Sequence, residues 1–162
     1  MSTPQIDLTT QLDEQLHWHW THQLRPRLDG LTDAEYFWEP VPGCWSVRPR
    51  GSSTATMAGG SGVMTVDFGG PGWDYVSWDY APTAAEALAQ LDEQYARWRE
   101  GVAALAPQQL ALPNGEDGPY GELPMAALVL HINREMIHHG AEIALLRDLY
   151  AHQPHQSPEE TR

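Results

Sequence analysis

The chain has 162 residues, enough for one domain with a buried core, and its 22 acidic residues against nine arginines give a formal net charge of −13. Such a field repels phosphate backbones and anionic lipid headgroups, so nucleic acid and membrane surfaces are not expected partners. A single cysteine, Cys44, cannot form an internal disulfide, and we find neither a leader peptide nor an apolar run of membrane-spanning length. We therefore expect a cytoplasmic protein.

Three segments have the periodicity of long amphipathic helices. The first runs from about residue 6 to 29, where apolar residues recur every four positions, and Gly30 is placed to end it. Pro26 predicts a kink or a turn near the end of this helix. The second begins directly after a predicted capping box at Thr83, and the third covers residues 124–150.

An irregular segment separates the first two of these helices. A capping box at Thr32 predicts one short helix before it. Glycine and proline then interrupt any helical pattern over residues 41–82, and β-branched residues in 63–68 predict a short strand, with glycine-rich flanks that suit a β-hairpin. We interpret residues 1–150 as one mainly α domain with this insertion, and residues 151–162 as a disordered tail.

The third long helix carries an acid and an imidazole one turn apart in its apolar stripe. At about 100° per residue, His139 falls in the middle of the stripe and Glu135 at its edge. A buried carboxylate needs a partner, and a divalent ion about 2.1 Å from both side chains would supply one. A Glu–His hydrogen bond, or an arginine from another helix, would satisfy the same groups without a metal. His131 is too far along the axis to share an ion with His139, and His138 lies off the stripe.

A family resemblance supports the metal interpretation. Residues 130–143, with the pattern Arg-Glu-x-x-x-His, resemble the last-helix signature of DinB-like proteins, above all that of mycothiol-dependent maleylpyruvate isomerases. Residues 18–20 and 36–50 also resemble uncharacterised actinobacterial members of that family. The resemblance covers most of the chain except about residues 52–70. It implies an up-and-down helical bundle that holds zinc or nickel on a histidine of the second long helix and on a pair corresponding to Glu135 and His139.

The chain departs from this family at the second long helix. No histidine occurs between residues 23 and 130, so the usual third ligand is absent and the bundle is reduced to three long helices. The candidates that remain are His17, His19 and His22 on the first helix. His19 and His22 are three residues apart and share a face, so His22 is the candidate third ligand, with His19 or another subunit as the alternatives.

The resemblance implies an S-transferase or isomerase that uses mycothiol on a small-molecule thiol or electrophile. Arg134 and Arg147 would then orient an anionic cofactor or substrate, unless they pair with acids of neighbouring helices. The alternative is a non-catalytic or degenerate paralogue whose exposed apolar seams make it a self-associating protein, most simply a homodimer. A thiol enzyme centred on Cys44 is disfavoured, because no base lies beside it and its neighbours indicate an ordinary packed position.

Overall fold

The computed structural model describes residues 6–44, 46–48, 80–115 and 121–153. Helices dominate these residues, and no strand occurs among them, which confirms the mainly α class. The predicted strand, the glycine-rich insertion and most of the predicted tail lie outside the described residues. The helices are α1 (Leu8–His19), α2 (Arg25–Leu28), α3 (Asp33–Tyr36), α4 (Ala84–Ala104) and α5 (Met125–Ala151), with a π-helical turn at Trp20–Leu24 and a 3₁₀ turn at Gln109–Ala111.

The first long helix forms as predicted, but a π-helical turn interrupts it. Asp7 caps its start by accepting hydrogen bonds from two backbone N–H groups. In the wider turn, the Arg25 N–H donates to the carbonyl of Trp20, five residues back. The wider turn eases the clash that the Pro26 ring would otherwise make with a carbonyl of the preceding turn. The chain then reverses at Gly30, whose φ of +71° favours glycine.

Helix α1 is the centre of the described core, because it packs against both α4 and α5. Leu16 of α1 and Trp20 and Leu24 of the π-helical turn that follows it are buried, and the Trp20 ring stacks on Tyr95 of α4 with ring centroids 4.0 Å apart. Each such fully buried side chain contributes about 2 kcal/mol of transfer free energy. Leu8, which the four-residue spacing includes in the stripe, is exposed instead because the core begins one turn further along the helix.

Helices α1 and α5 approach closely at two residues of α5. Asn133 is buried, and its Nδ2 donates hydrogen bonds to the Leu12 carbonyl at 3.0 Å and to Gln15 Oε1 at 3.1 Å. About two turns later, a Cβ on Gly140 would lie 3.1 Å from a methyl carbon of Leu24. Both contacts turn the asparagine and glycine side of α5 toward α1.

This orientation corrects the predicted position of the acid and imidazole pair. The buried side of α5 is centred on Met136, with Asn133 and Gly140 on it, and not on His139. A hydropathy pattern does not count asparagine or glycine as core residues. The predicted centre of the apolar stripe therefore lies too close to His139 and too far from the side of α5 that carries Asn133 and Gly140. His139 therefore lies at the edge of the core, with its side chain 18% exposed, and Glu135 lies beside it at 36%.

The predicted capping boxes also join elements together. Thr32 and Glu35 cap α3 reciprocally, and Thr83 accepts a hydrogen bond from the Glu86 N–H at the start of α4. The Asp33 carboxylate accepts a hydrogen bond from the Ala84 N–H at 2.7 Å, so α3 caps α4 as well. Local sequence signals and tertiary contacts thus coincide at these helix ends.

The ion pair of Arg147 with Glu35 joins α5 to α3 and to the turn before it. Arg147 Nε donates to Glu35 Oε1 at 3.0 Å, and its Nη1 donates to the carbonyls of Arg27 and Asp29. Burial alone would raise the pKa of Glu35, but hydrogen bonds from Arg147 and Thr32 lower it overall. Two further arginines, Arg25 with Asp92 and Arg99 with Asp13, join α1 and α2 to α4. None of the described helices is long and apolar enough to cross a membrane.

The pair of Glu35 and Arg147 predicts a pH-dependent loss of stability. With side chains only 10% and 17% exposed, E35Q would lower the free energy of unfolding by about 3 kcal/mol at pH 7, because Arg147 loses its charged partner. The folded-state pKa of Glu35 is lowered, so its contribution is complete above roughly pH 5 and is lost as the pH falls through the folded-state value. Urea unfolding of both proteins at several pH values measures this difference.

The matched control is E93Q, because Glu93 forms an exposed pair with Arg97 one turn away on α4. Its loss would change stability by less than about 0.5 kcal/mol. An E35Q protein that matches E93Q in stability at pH 7 would contradict a structural role for the Glu35 pair.

Candidate metal centre

Five titratable side chains lie along one edge of α5, and we refer to them as the α5 cluster. The helix starts directly after Pro124, which occupies the N-cap position and forms an isolated antiparallel β-bridge with Pro113. Helical spacing of three and four residues then places the cluster on adjacent turns, where side chains meet. Its members are His131, Glu135, His138, His139 and Glu142.

His139 lies between two carboxylates, one at each ring nitrogen. Its Nδ1 is 2.7 Å from Glu142 Oε2, and its Nε2 is 3.5 Å from Glu135 Oε2. A neutral imidazole has one N–H, and the shorter contact assigns that proton to Nδ1 as the donor to Glu142. The lone pair of Nε2 is then directed toward Glu135.

The spacing of Nε2 and the Glu135 oxygen fits a pair of metal ligands. Two ligand atoms about 2.1 Å from a tetrahedral ion lie about 3.4 Å apart, and the observed separation is 3.5 Å. A hydrogen bond from the other ring nitrogen to a carboxylate is typical of metal-bound histidine. The residues present therefore fit a divalent ion at two of its coordination positions.

The remaining oxygen of Glu135 has partners on its own helix. Arg134 Nη2 is 3.0 Å from Oε1, and His131 Nδ1 is 3.6 Å away. Burial alone would raise the pKa of Glu135, but the Arg134 hydrogen bond and the nearby His131 lower it overall. Glu135 is therefore a carboxylate at neutral pH, as a metal ligand must be.

A second group within the cluster was not predicted. Nε2 of His138 is 3.4 Å from Glu142 Oε1, and ligand atoms of His138, His139 and Glu142 all lie within 4.8 Å of one another. His138, which lies off the predicted stripe, is exposed, and its imidazole faces the Glu142 carboxylate. The spacing of four residues between His138 and Glu142 is the sequence signal that could have found this group.

The histidines of the first long helix do not lie where the sequence predicts. His19 and His22 were expected to share a face, but the π-helical turn begins between them and changes the helical register. The structure places His19 half-buried against α5, with its Nε2 3.4 Å from the position of a Cβ on Gly140. His22 is exposed, stacks on Trp18 and donates from Nδ1 to the Trp18 carbonyl at 3.0 Å.

Neither histidine is brought to the Glu135 and His139 pair by any contact among the described residues. Burial lowers the pKa of His19, and its Nε2 is buried without a hydrogen-bond partner there. His17 is hydrogen-bonded to the Tyr95 hydroxyl at 2.8 Å. Burial raises the pKa of Tyr95 to about 12.

The two arginines that the resemblance assigns to anion binding have different surroundings. Arg147 is bound to Glu35 and to two backbone carbonyls, as described above, so its donors hold the fold together. Arg134 is exposed beside Glu135 and His131.

Cys44, which was expected in a packed position, is exposed and follows the turn at Gly43, whose φ is +82°.

Comparison with protein-family models gives a match over residues 15–143, to the model described as DinB superfamily. The chain belongs to the DinB superfamily. The match includes the α5 cluster and most of the first long helix, and it confirms the resemblance to DinB-like proteins. Neither the curated proteins nor the solved structures contain a match to this chain.

The contacts of His139 predict its tautomer in this DinB-superfamily protein. In the metal-free protein, at a pH where the ring is neutral, ¹⁵N NMR would show a protonated Nδ1 and an unprotonated Nε2, because Glu142 accepts from Nδ1. In E142Q the preference for this tautomer would weaken, whereas E86Q on α4 would leave it unchanged. A protonated Nε2 in the unaltered protein would contradict the assignment.

Proposed function

We propose that this DinB-superfamily protein binds zinc or nickel through His139 and Glu135 and acts as a metal-dependent thiol transferase or isomerase. The observation that carries the proposal is the placement of His139 between two carboxylates, with Nε2 3.5 Å from Glu135 Oε2. Glu142 would act as a positioning residue, because it holds the ring from Nδ1 at 2.7 Å. Arg134 supports the site by keeping Glu135 charged.

A divalent ion at this position would supply Lewis acidity, which lowers the pKa of a bound thiol enough to give a thiolate at neutral pH. The substrate class we infer is a small-molecule thiol together with an electrophile, in the cytoplasm, with mycothiol as the candidate co-substrate. Arg134 is the cation on this edge of α5 that an anionic thiol could reach, because its side chain is 68% exposed. Glu135 and His139 lie at the edge of the core, where a small molecule has access.

A third protein ligand would have to come from outside the pair of Glu135 and His139. His22 would have to leave its stack on Trp18 and its hydrogen bond to the Trp18 carbonyl to become a ligand. His19 has the unpartnered nitrogen, but that nitrogen lies against Gly140. Two protein ligands hold zinc weakly, so the affinity depends on what supplies the remaining positions.

Metal content tests the proposal directly. Protein purified without a histidine tag and incubated with Zn²⁺ or Ni²⁺ would retain the ion after gel filtration, and H139A would lose it because both ring nitrogens disappear. In E135A the affinity would fall at least about tenfold, since losing a ligand costs no less than losing an outer contact. H152A is the control, because His152 lies at the end of α5 and contacts the Asp148 carbonyl. Retention of the ion in H139A would contradict the metal proposal.

A second candidate function is that of a self-associating protein without catalysis. The observation in its favour is a row of exposed apolar side chains on α5, with Leu130 52%, Ile137 37% and Leu145 59% exposed. A second copy of the chain is the proposed occupant, which gives a homodimer. Light scattering would then show twice the monomer mass, and I137E would shift the mass toward the monomer. A wild-type monomer at high concentration would contradict this function.

A further inference from the structure

We propose that α5 carries a second seat for a divalent ion, formed by His138, Glu142 and Nδ1 of His139, and that one ion occupies either this outer seat or the Glu135 seat. The inference deepens the proposed function and rests on it, because the two seats share His139. The family pattern assigns a role to Glu135 and His139, and it assigns none to His138 or Glu142.

One pair of atoms in the outer seat has the spacing that two ligands of an ion require. Nε2 of His138 lies 3.4 Å from Glu142 Oε1, which matches the separation of about 3.4 Å between two ligands of a tetrahedral ion. The two imidazole rings are 5.0 Å apart between centroids and are tilted by 59°, and Nε2 of His138 and Nδ1 of His139 each contact one oxygen of the Glu142 carboxylate. All three ligand atoms lie within 4.8 Å of one another. Side-chain rotations of exposed groups can close the remaining distances.

His139 makes the two seats mutually exclusive. The 2.7 Å contact between Nδ1 and Glu142 Oε2 is a hydrogen bond and is too short for two ligands of one ion. For the outer seat to fill, the proton must leave Nδ1, and the tautomer with its proton on Nε2 would then face Glu135 Oε2 at 3.5 Å. A neutral imidazole has only one lone pair for a metal, so each tautomer of His139 serves one seat.

The donor set defines the chemical class of the ion. Two imidazoles and one carboxylate suit zinc, nickel or copper and not magnesium or calcium, which take oxygen ligands. The outer seat is also more open to solvent than the Glu135 seat, because the His138 side chain is 63% exposed. It would therefore load first and exchange its ion faster.

Zinc titration of single and double variants tests the two seats. By calorimetry, tag-free wild-type protein would bind one Zn²⁺ per chain, and both E135Q and H138A would still bind one ion at the seat that each leaves intact. In E135Q/H138A the affinity would fall at least about tenfold below that of E135Q. E135Q/H152A is the matched control, and its affinity would equal that of E135Q. Circular dichroism would show that all variants retain their helices.

The outcomes separate this inference from the proposed function. If E135Q/H138A binds as tightly as E135Q/H152A, the outer seat is overturned, and the Glu135 seat is judged by E135A alone. If H138A binds Zn²⁺ as weakly as E135Q/H138A does, the ion uses only the outer seat. That result supports this inference and contradicts the assignment of Glu135 as a metal ligand. Two ions per wild-type chain would overturn the exclusion, and no binding by the wild type would overturn both proposals.

The tautomer of His139 gives an independent measurement. With Zn²⁺ bound, ¹⁵N NMR of E135Q would show the metal on Nδ1 of His139 and a proton on Nε2, and H138A would show the reverse. Because the zinc ion is diamagnetic, both nitrogens can be observed. The same tautomer in both zinc-loaded variants would overturn the proposed exchange between seats.

Discussion

The contact between α5 and α1 determines which residues of this protein are available for chemistry. Asn133 hydrogen-bonds to the Leu12 carbonyl, and Gly140 admits the side chain of Leu24, so one face of α5 is fixed against α1. Residues about a quarter turn away are then held at the edge of the core. Glu135 and His139 lie there, shielded enough to be ordered and exposed enough to be reached.

Much of the fold could be predicted because its signals are local. The capping box at Thr32, the N-cap at Thr83 and the glycine at position 30 each act within a few residues, and they are found in the structure. The family pattern in residues 130–143 likewise singled out α5 as the helix that carries the candidate metal ligands. These features depend on neighbours in sequence, which is why periodicity and caps reveal them.

The orientation of the helices depends on distant contacts, and there the sequence was less informative. Hydropathy treats Asn133 as a surface residue, although a backbone carbonyl of α1 makes its burial favourable. Regular helical spacing also groups His19 with His22, and the π-helical turn separates them. The role of Glu142 was missed for a related reason, because only the rotamer of His139 shows which carboxylate its Nδ1 contacts.

The α5 cluster is contained within a single helix, and this has a consequence for folding. Metal sites that draw ligands from several elements act as crosslinks, and many small metalloproteins built in this way unfold when the ion is removed. Here all five side chains of the cluster lie on one helix, so an ion held by them alone would not link α5 to another element. Under the proposed metal binding, an ion held only by α5 would load and unload with the protein folded throughout, and the supply of metal would act as a signal and not as a condition for folding.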